Sequence, residues 1–216
     1  MRRPLASCLI LLGSLIWLSA QTGCAHYYLP ASQLETPEAT GPDRIGRLEL
    51  VGIQSGTDLL NASTESLVNY AFGVSFAITP ALDLGLKLEP FAPVLVRAKY
   101  QFWGAPESQA HSGNFSASIS GSSGLLLSTY NGSSVTFYSF NAAVIGGYRF
   151  AEHHLASLAP FFSLAGISGI GNASGTTTLA GASLGYQYDA EALILRAELT
   201  WASSAFYPGL LLGLKL

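Results

Sequence analysis

The chain is short of charge. Lys, Arg, Asp and Glu make up 11% of its 216 residues, against about 25% in an ordinary soluble domain. It is also short of cysteine, with Cys8 and Cys24 alone. Beyond residue 20 no apolar run approaches the roughly 18 residues that a membrane-spanning helix needs. The missing charge argues against an exterior bathed in water, and the missing run against a helical membrane protein. The formal charge is −3, and removing Arg2 and Arg3 leaves −5, so there is no basic footprint for nucleic acid. What the chain has instead is 23 glycines, 11% aromatic residues and a mean hydropathy of +0.36. Together these point to strands that face lipid.

The N-terminus reads as an export signal. Arg2 and Arg3 form a basic start, and residues 5–20 form an apolar stretch too short for an anchor. Cys8 leaves with the signal, so Cys24 is the one thiol of the mature chain and no internal disulfide can form. Gln21-Thr22-Gly23-Cys24 resembles a bacterial lipobox. Thr22 and Gly23 fit it, while Gln21 stands where an aliphatic residue is usual. Two readings stay open: lipidation of Cys24, or ordinary cleavage after Ala25 with Gly23 and Ala25 as the small pair. The first assigns residues 1–23 to the signal. Residues 24–43 carry Pro30, Pro37, Pro42 and scattered acids without a period, and read as a flexible tether.

From residue 44 alternation dominates, which is the strand period. Ten segments show it, near residues 44–54, 67–78, 82–89, 94–103, 113–121, 135–150, 155–167, 176–188, 192–201 and the last ten residues. The segment at 113–121 is the weakest, and Pro160 counts against 155–167. The stretches 55–66, 122–134 and 168–175 read as polar loops. The expected fold of residues 44–216 is all-β: a closed antiparallel up-and-down transmembrane β-barrel of ten strands, or eight if 82–89 and 94–103 are misjudged. An even count brings both ends of the wall to one side.

The charges choose which face is wet. Arg47, Glu49, Asp83, Lys87, Glu89, Arg97, Lys99, Arg149, Arg196, Glu198 and Lys215 all lie opposite the apolar set, among Gly, Ala and Ser. These eleven are the expected barrel-interior charge network. Arg97 and Lys99 are expected to meet Asp83 and Glu89, and Glu198 to meet Arg196 and Lys215, because buried charges must pair or stay hydrated. A barrel of this size holds little more than side chains, so the network is expected to act as a plug, with a selective small pore as the alternative.

These features resemble the small bacterial outer-membrane β-barrel proteins. The residues that carry the resemblance are the unit Phe76-Ala-Ile-Thr-Pro-Ala-Leu-Asp-Leu-Gly-Leu-Lys-Leu88, the segment Ala98-Lys-Tyr-Gln-Phe102 and the closing strand. Leu216 departs from the terminal Phe or Trp usual in that group. The resemblance implies a monomer in the bacterial outer membrane. Outer-membrane lipids and, during insertion, the barrel assembly machinery would be its partners. No cofactor, metal or nucleic acid is expected. The implied role is structural, surface-interacting or a small-solute pore. The alternatives are an envelope-lipid enzyme and a lipid-anchored soluble barrel that binds an apolar ligand.

Enzyme chemistry has little to work with. The histidines are His26 in the expected tether, His111 in a connection, and His153 and His154 in a turn. A general base needs a nucleophile within hydrogen-bond reach, and adjacent histidines without further ligands hold metal poorly. The chain is therefore expected to have no catalytic, cofactor or metal site.

Overall fold

The computed structural model describes residues 28–216 except 32–33, 59–65, 90–92, 131–132 and 171–172. The expected signal and Cys24 lie outside the described residues. The wall is ten antiparallel strands: β2 (Gly46–Asp58), β3 (Ser66–Thr79), β4 (Leu82–Leu88), β5 (Val94–Trp103), β6 (Phe115–Tyr130), β7 (Ser133–Ala151), β8 (His154–Ile170), β9 (Ala173–Asp189), β10 (Leu193–Ala202) and β11 (Ala205–Lys215). Each pairs with the next in sequence, and β11 pairs with β2, which closes the barrel. The eight-strand alternative falls away, since β4 and β5 pair with each other and with β3 and β6. A short extra strand, β1 (Tyr28–Pro30), lies against the far end of β2.

The alternation does what the charges required. Leu84 and Leu195 are 41% and 44% exposed on the outer face, whereas Arg97 and Arg196 are 8% and 3% exposed on the inner one. A soluble barrel has the opposite sense. One register change keeps the sense intact along β2. Glu49 pairs with Gly73 and Gly52 with Ala71, and on the other side Leu212 meets Val51 and Gly213 meets Glu49. The extra residue, Leu50, is a bulge that lets Arg47 and Gln54 both face inward although their spacing is odd.

The two rims differ. The lower rim carries both ends of the wall and the connections 80–81, 104–114, 152–153 and 190–192. The upper rim carries the strand ends Asp58, Ser66, Leu88, Val94, Tyr130, Ser133, Ile170 and Ala173, and the turn 203–204. Strands β6 to β9 are 16, 19, 17 and 17 residues long, where crossing a bilayer takes about 9–11. They rise past their neighbours at the upper rim, because β5 reaches only Leu125 of β6 and β10 only Gly181 of β9.

Two expectations are corrected here. Residues 122–130 and 133–134, and 168–170 and 173–175, belong to the upper parts of β6–β7 and β8–β9 and not to loops, and the weakly patterned 113–121 segment leads into a 16-residue strand from Phe115. Serine, threonine and glycine hid the period without breaking the ladder. Pro160 sits inside β8 because the β7–β8 ladder skips from Ala143–Phe161 to Gly146–Leu158, where its missing N–H would have been needed.

Candidate functional site

The lumen is the place where chemistry concentrates, and the chain fills it twice. The first filling is the segment that the sequence presents as a tether. That expectation is corrected for its described part. Leu29, Ala31, Leu34, Thr36, Glu38, Ala39 and Thr40 are buried, and the segment runs down the inside of the barrel from β1 at the upper rim to residue 44 at the lower. It has no regular structure between residues 34 and 45. Wall side chains satisfy its backbone instead, as a buried chain requires. Leu34 N donates to Glu198 Oε2 at 3.1 Å, Ala39 N to Gln101 Oε1 at 2.6 Å and Thr40 N to Asp83 Oδ2 at 3.1 Å. The Glu38 carbonyl accepts from Arg47 at 3.0 Å and from Lys99 at 2.8 Å.

The Glu38 carboxylate is the centre of this filling. Arg149 holds it through two guanidinium nitrogens, and Asn114 Nδ2 donates to it at 3.1 Å. Such a forked pair is short and directional. The same guanidinium reaches Asp189 at 2.7 Å. One guanidinium thus links the inserted acid to the wall acid at the lower end of β9.

The second filling is the connection 104–114, whose 3-10 turn Glu107–Gln109 folds inward. Barrel closure sets Arg47 directly opposite Lys215 across the β2–β11 seam. Like charges in that position repel. Glu107 answers both, pairing with Arg47 and with Lys215 at 2.9 Å, and with Arg44 at 2.6 Å. Burial works to raise the pKa of this carboxyl. The cations, Arg47 foremost, outweigh it and hold the value at about 2. The two fillings also touch: Glu107 N donates to the Ala39 carbonyl at 2.8 Å. Gly41 sits between them at φ +90°, where any side chain would strike Ser108 and Pro106.

All eleven residues of the expected network face the lumen. Lys99 pairs with Asp83 at 3.3 Å, Lys87 with Glu89 at 3.0 Å and Arg196 with Glu198 at 3.3 Å. Two expected pairings are different. Arg97 binds Glu49 at 2.6 Å and Glu35 at 3.3 Å, and Lys215 binds Glu107 and Asp189. The sequence reading missed Glu35, Glu38, Glu107 and Asp189. A count of charge was the available signal. The inner wall supplies seven cations, Arg47, Lys87, Arg97, Lys99, Arg149, Arg196 and Lys215, and five acids, Glu49, Asp83, Glu89, Asp189 and Glu198. The inserted Glu35, Glu38 and Glu107, with Arg44, bring the described lumen to neutrality.

Above this charged level the lumen turns apolar. Leu29 and Ala31 pack there with Ala143, Ile145, Ala159, Phe161, Ala165, Leu179, Ala202 and Tyr207. Along β6–β8 the inward Ser116, Ser118, Ser139 and Ser163 hydroxyls have no partner among the described residues. A small cavity between the charged Glu35, Arg47 and Arg97 and the apolar Leu34, Ile194 and Leu211 has room for about two waters.

The described histidines lie elsewhere. His111 and His153 are exposed at the lower rim. His154 shares a hydrogen bond with the Tyr186 hydroxyl at 2.7 Å and stacks on Phe150. Among the described residues no group of three His, Cys, Asp or Glu is placed to hold a metal.

No family model matches the chain, and no curated protein matches it. Among solved structures it is similar to the crystal structure of Ail, the attachment invasion locus protein of Yersinia pestis. The identity is 10% and the TM-score 0.34, over 80% of this chain and 97% of that one. The architecture described above rests on the strand pairings themselves.

Proposed function

We propose that the protein is an integral β-barrel of the bacterial outer membrane whose lumen is shut by its own chain. Its role is then structural or surface-interacting, not the passage of solutes. The observation that carries this is the Glu38–Arg149 pair, buried inside a barrel whose outer wall is apolar. An apolar wall of that kind is stable in hydrocarbon and not in water. The crowded rings at the lower rim, Phe150, Tyr186 and Tyr188 with His154, suit a membrane interface.

Four finer readings belong to the same proposal. The upper rim faces outward, where the tall strands are. Cys24 carries lipid, and its alternative is cleavage after Ala25. The protein is a monomer with outer-membrane lipids as its surroundings and the assembly machinery as its partner on insertion. It is not an enzyme: the one hydroxyl that a described histidine meets, Tyr186 at His154, lies on the exposed outer face and away from the lumen.

Planar-bilayer conductance tests the occlusion. The full chain is expected to give no steady current. A variant with residues 29–41 replaced by a Gly/Ser segment of equal length is expected to conduct. Steady current from the full chain would restore the pore reading. Retention in the outer-membrane fraction through a carbonate wash, with heat-modifiable gel migration, tests the location; release into the wash would sink it.

A further inference from the structure

The inserted segment has a direction, and that direction has a consequence. The barrel's own first and last residues, Gly46 and Lys215, lie at the lower rim. Tyr28, Leu29 and Pro30 instead pair with Asp58, Thr57 and Gly56, at the upper end of β2. They take the place that β11 leaves vacant. β11 pairs with β2 only as far as Gln54, and from there the Ser55 carbonyl accepts from Ala31 N at 3.2 Å. Β1 is therefore a built part of the rim, seated over the β10–β11 turn and anchored below by the apolar packing of Leu29 and Ala31.

We infer that the chain enters the barrel from the upper rim, at Tyr28, and runs down its interior, so that Tyr28 is displayed on the side opposite the barrel's C-terminal end. The wall closes around its own leader. The display side is the cell surface where the outer-membrane reading above holds, and the inference rests on that reading for the word surface only. An ordinary barrel of even strand number keeps its N-terminal extension with its C-terminus. Here residues 31–43 cross back, and the ion pairs of Glu35 and Glu38 hold them in place.

The test uses the full chain with one short epitope at a time. The epitope is placed between His26 and Tyr27, in the upper connection 131–132, or in the lower connection 152–153. Antibody is applied to intact cells and then to permeabilised ones. The tag at 26–27 is expected to behave as the 131–132 tag does and unlike the 152–153 tag. Behaviour like the 152–153 tag would overturn the inference and leave the membrane reading standing. If the protein is not retained in the membrane, a second measurement decides. In a Cys24→Ala background, Tyr28→Cys with Asp58→Cys is expected to cross-link on mild oxidation, and Tyr28→Cys with Arg44→Cys is not. The reverse result would overturn the threading whatever the location.

Discussion

The barrel has two unlike sides. Strands β2–β5, β10 and β11 are short and carry most of the lumen's charge. Strands β6–β9 are tall and nearly bare of it. No Asp, Glu, Lys or Arg occurs between Glu107 and Arg149, or between Glu152 and Asp189. Arg149 and Asp189 stand at the lower ends of β7 and β9, so on this side of the barrel the ion pairs are confined to the lower half of the lumen. The upper half packs like the core of a soluble domain, with Phe161, Ile145 and Tyr207 around Leu29. The difference shows two ways of holding one inserted segment. Charge fixes its lower part in a single register, since each acid has a fixed partner. Apolar burial holds its upper part with no such selectivity.

Substitutions can break or sharpen that contrast. The largest effect is expected at Glu38→Ala, which leaves the Arg149 guanidinium without its main partner in a closed lumen. Breaking a buried pair in this way costs about 3–5 kcal/mol. Urea unfolding in detergent should register it as a lower midpoint, and a midpoint unchanged from the parent would mean that the pair contributes nothing.

Glu107 comes next, and it is pH-dependent. Its folded pKa of about 2 lies below the unfolded value near 4.3. Its contribution is therefore full above about pH 5 and drains away as pH falls toward 2. A shift of that size corresponds to about 3 kcal/mol. The unfolding midpoint of the parent should fall across this window, while Glu107→Gln should start lower and fall less steeply. Equal slopes in the two proteins would show that another group controls the acid response.

In the apolar half Ile145→Ala is expected to cost about 2–4 kcal/mol by opening a cavity, with no change in the pH profile. That flat profile is what separates the two halves. The smallest effect is expected at Ser118→Ala. Its buried hydroxyl has no partner among the described residues, so a change under about 1 kcal/mol is expected. A larger loss would reveal a firmly held water along β6.

Much of the fold was legible because a barrel wall is written in a local code. Alternation of Leu84, Leu86 and Leu88 with Asp83, Gly85 and Lys87 assigns faces residue by residue. The upper parts of β6–β9 were not legible. Ser128, Thr129, Ser133 and Ser134 carry no contrast between faces, and only the ladder itself pairs them. The lumen-facing charges on strands could be read for the same reason that the strands could. Glu35, Glu38 and Glu107 could not, since an irregular chain whose backbone is satisfied by side chains leaves no period to detect.

The sequence by itself determined the inversion, with leucine turned to the outside and charge to the axis, because period and residue type are local properties. It also determined the strands' antiparallel up-and-down order, while the pairings of β4 and β5 decided ten strands over eight. Only the tertiary structure decided what occupies the space within. Closure brings Arg47 against Lys215, and Arg149 into reach of Asp189, from positions far apart in the chain. The resulting excess of buried cation is met by residues 35, 38 and 107, which no local pattern connects to them. Filling a lumen is a problem of long-range charge balance, and it has no solution until the ring has closed.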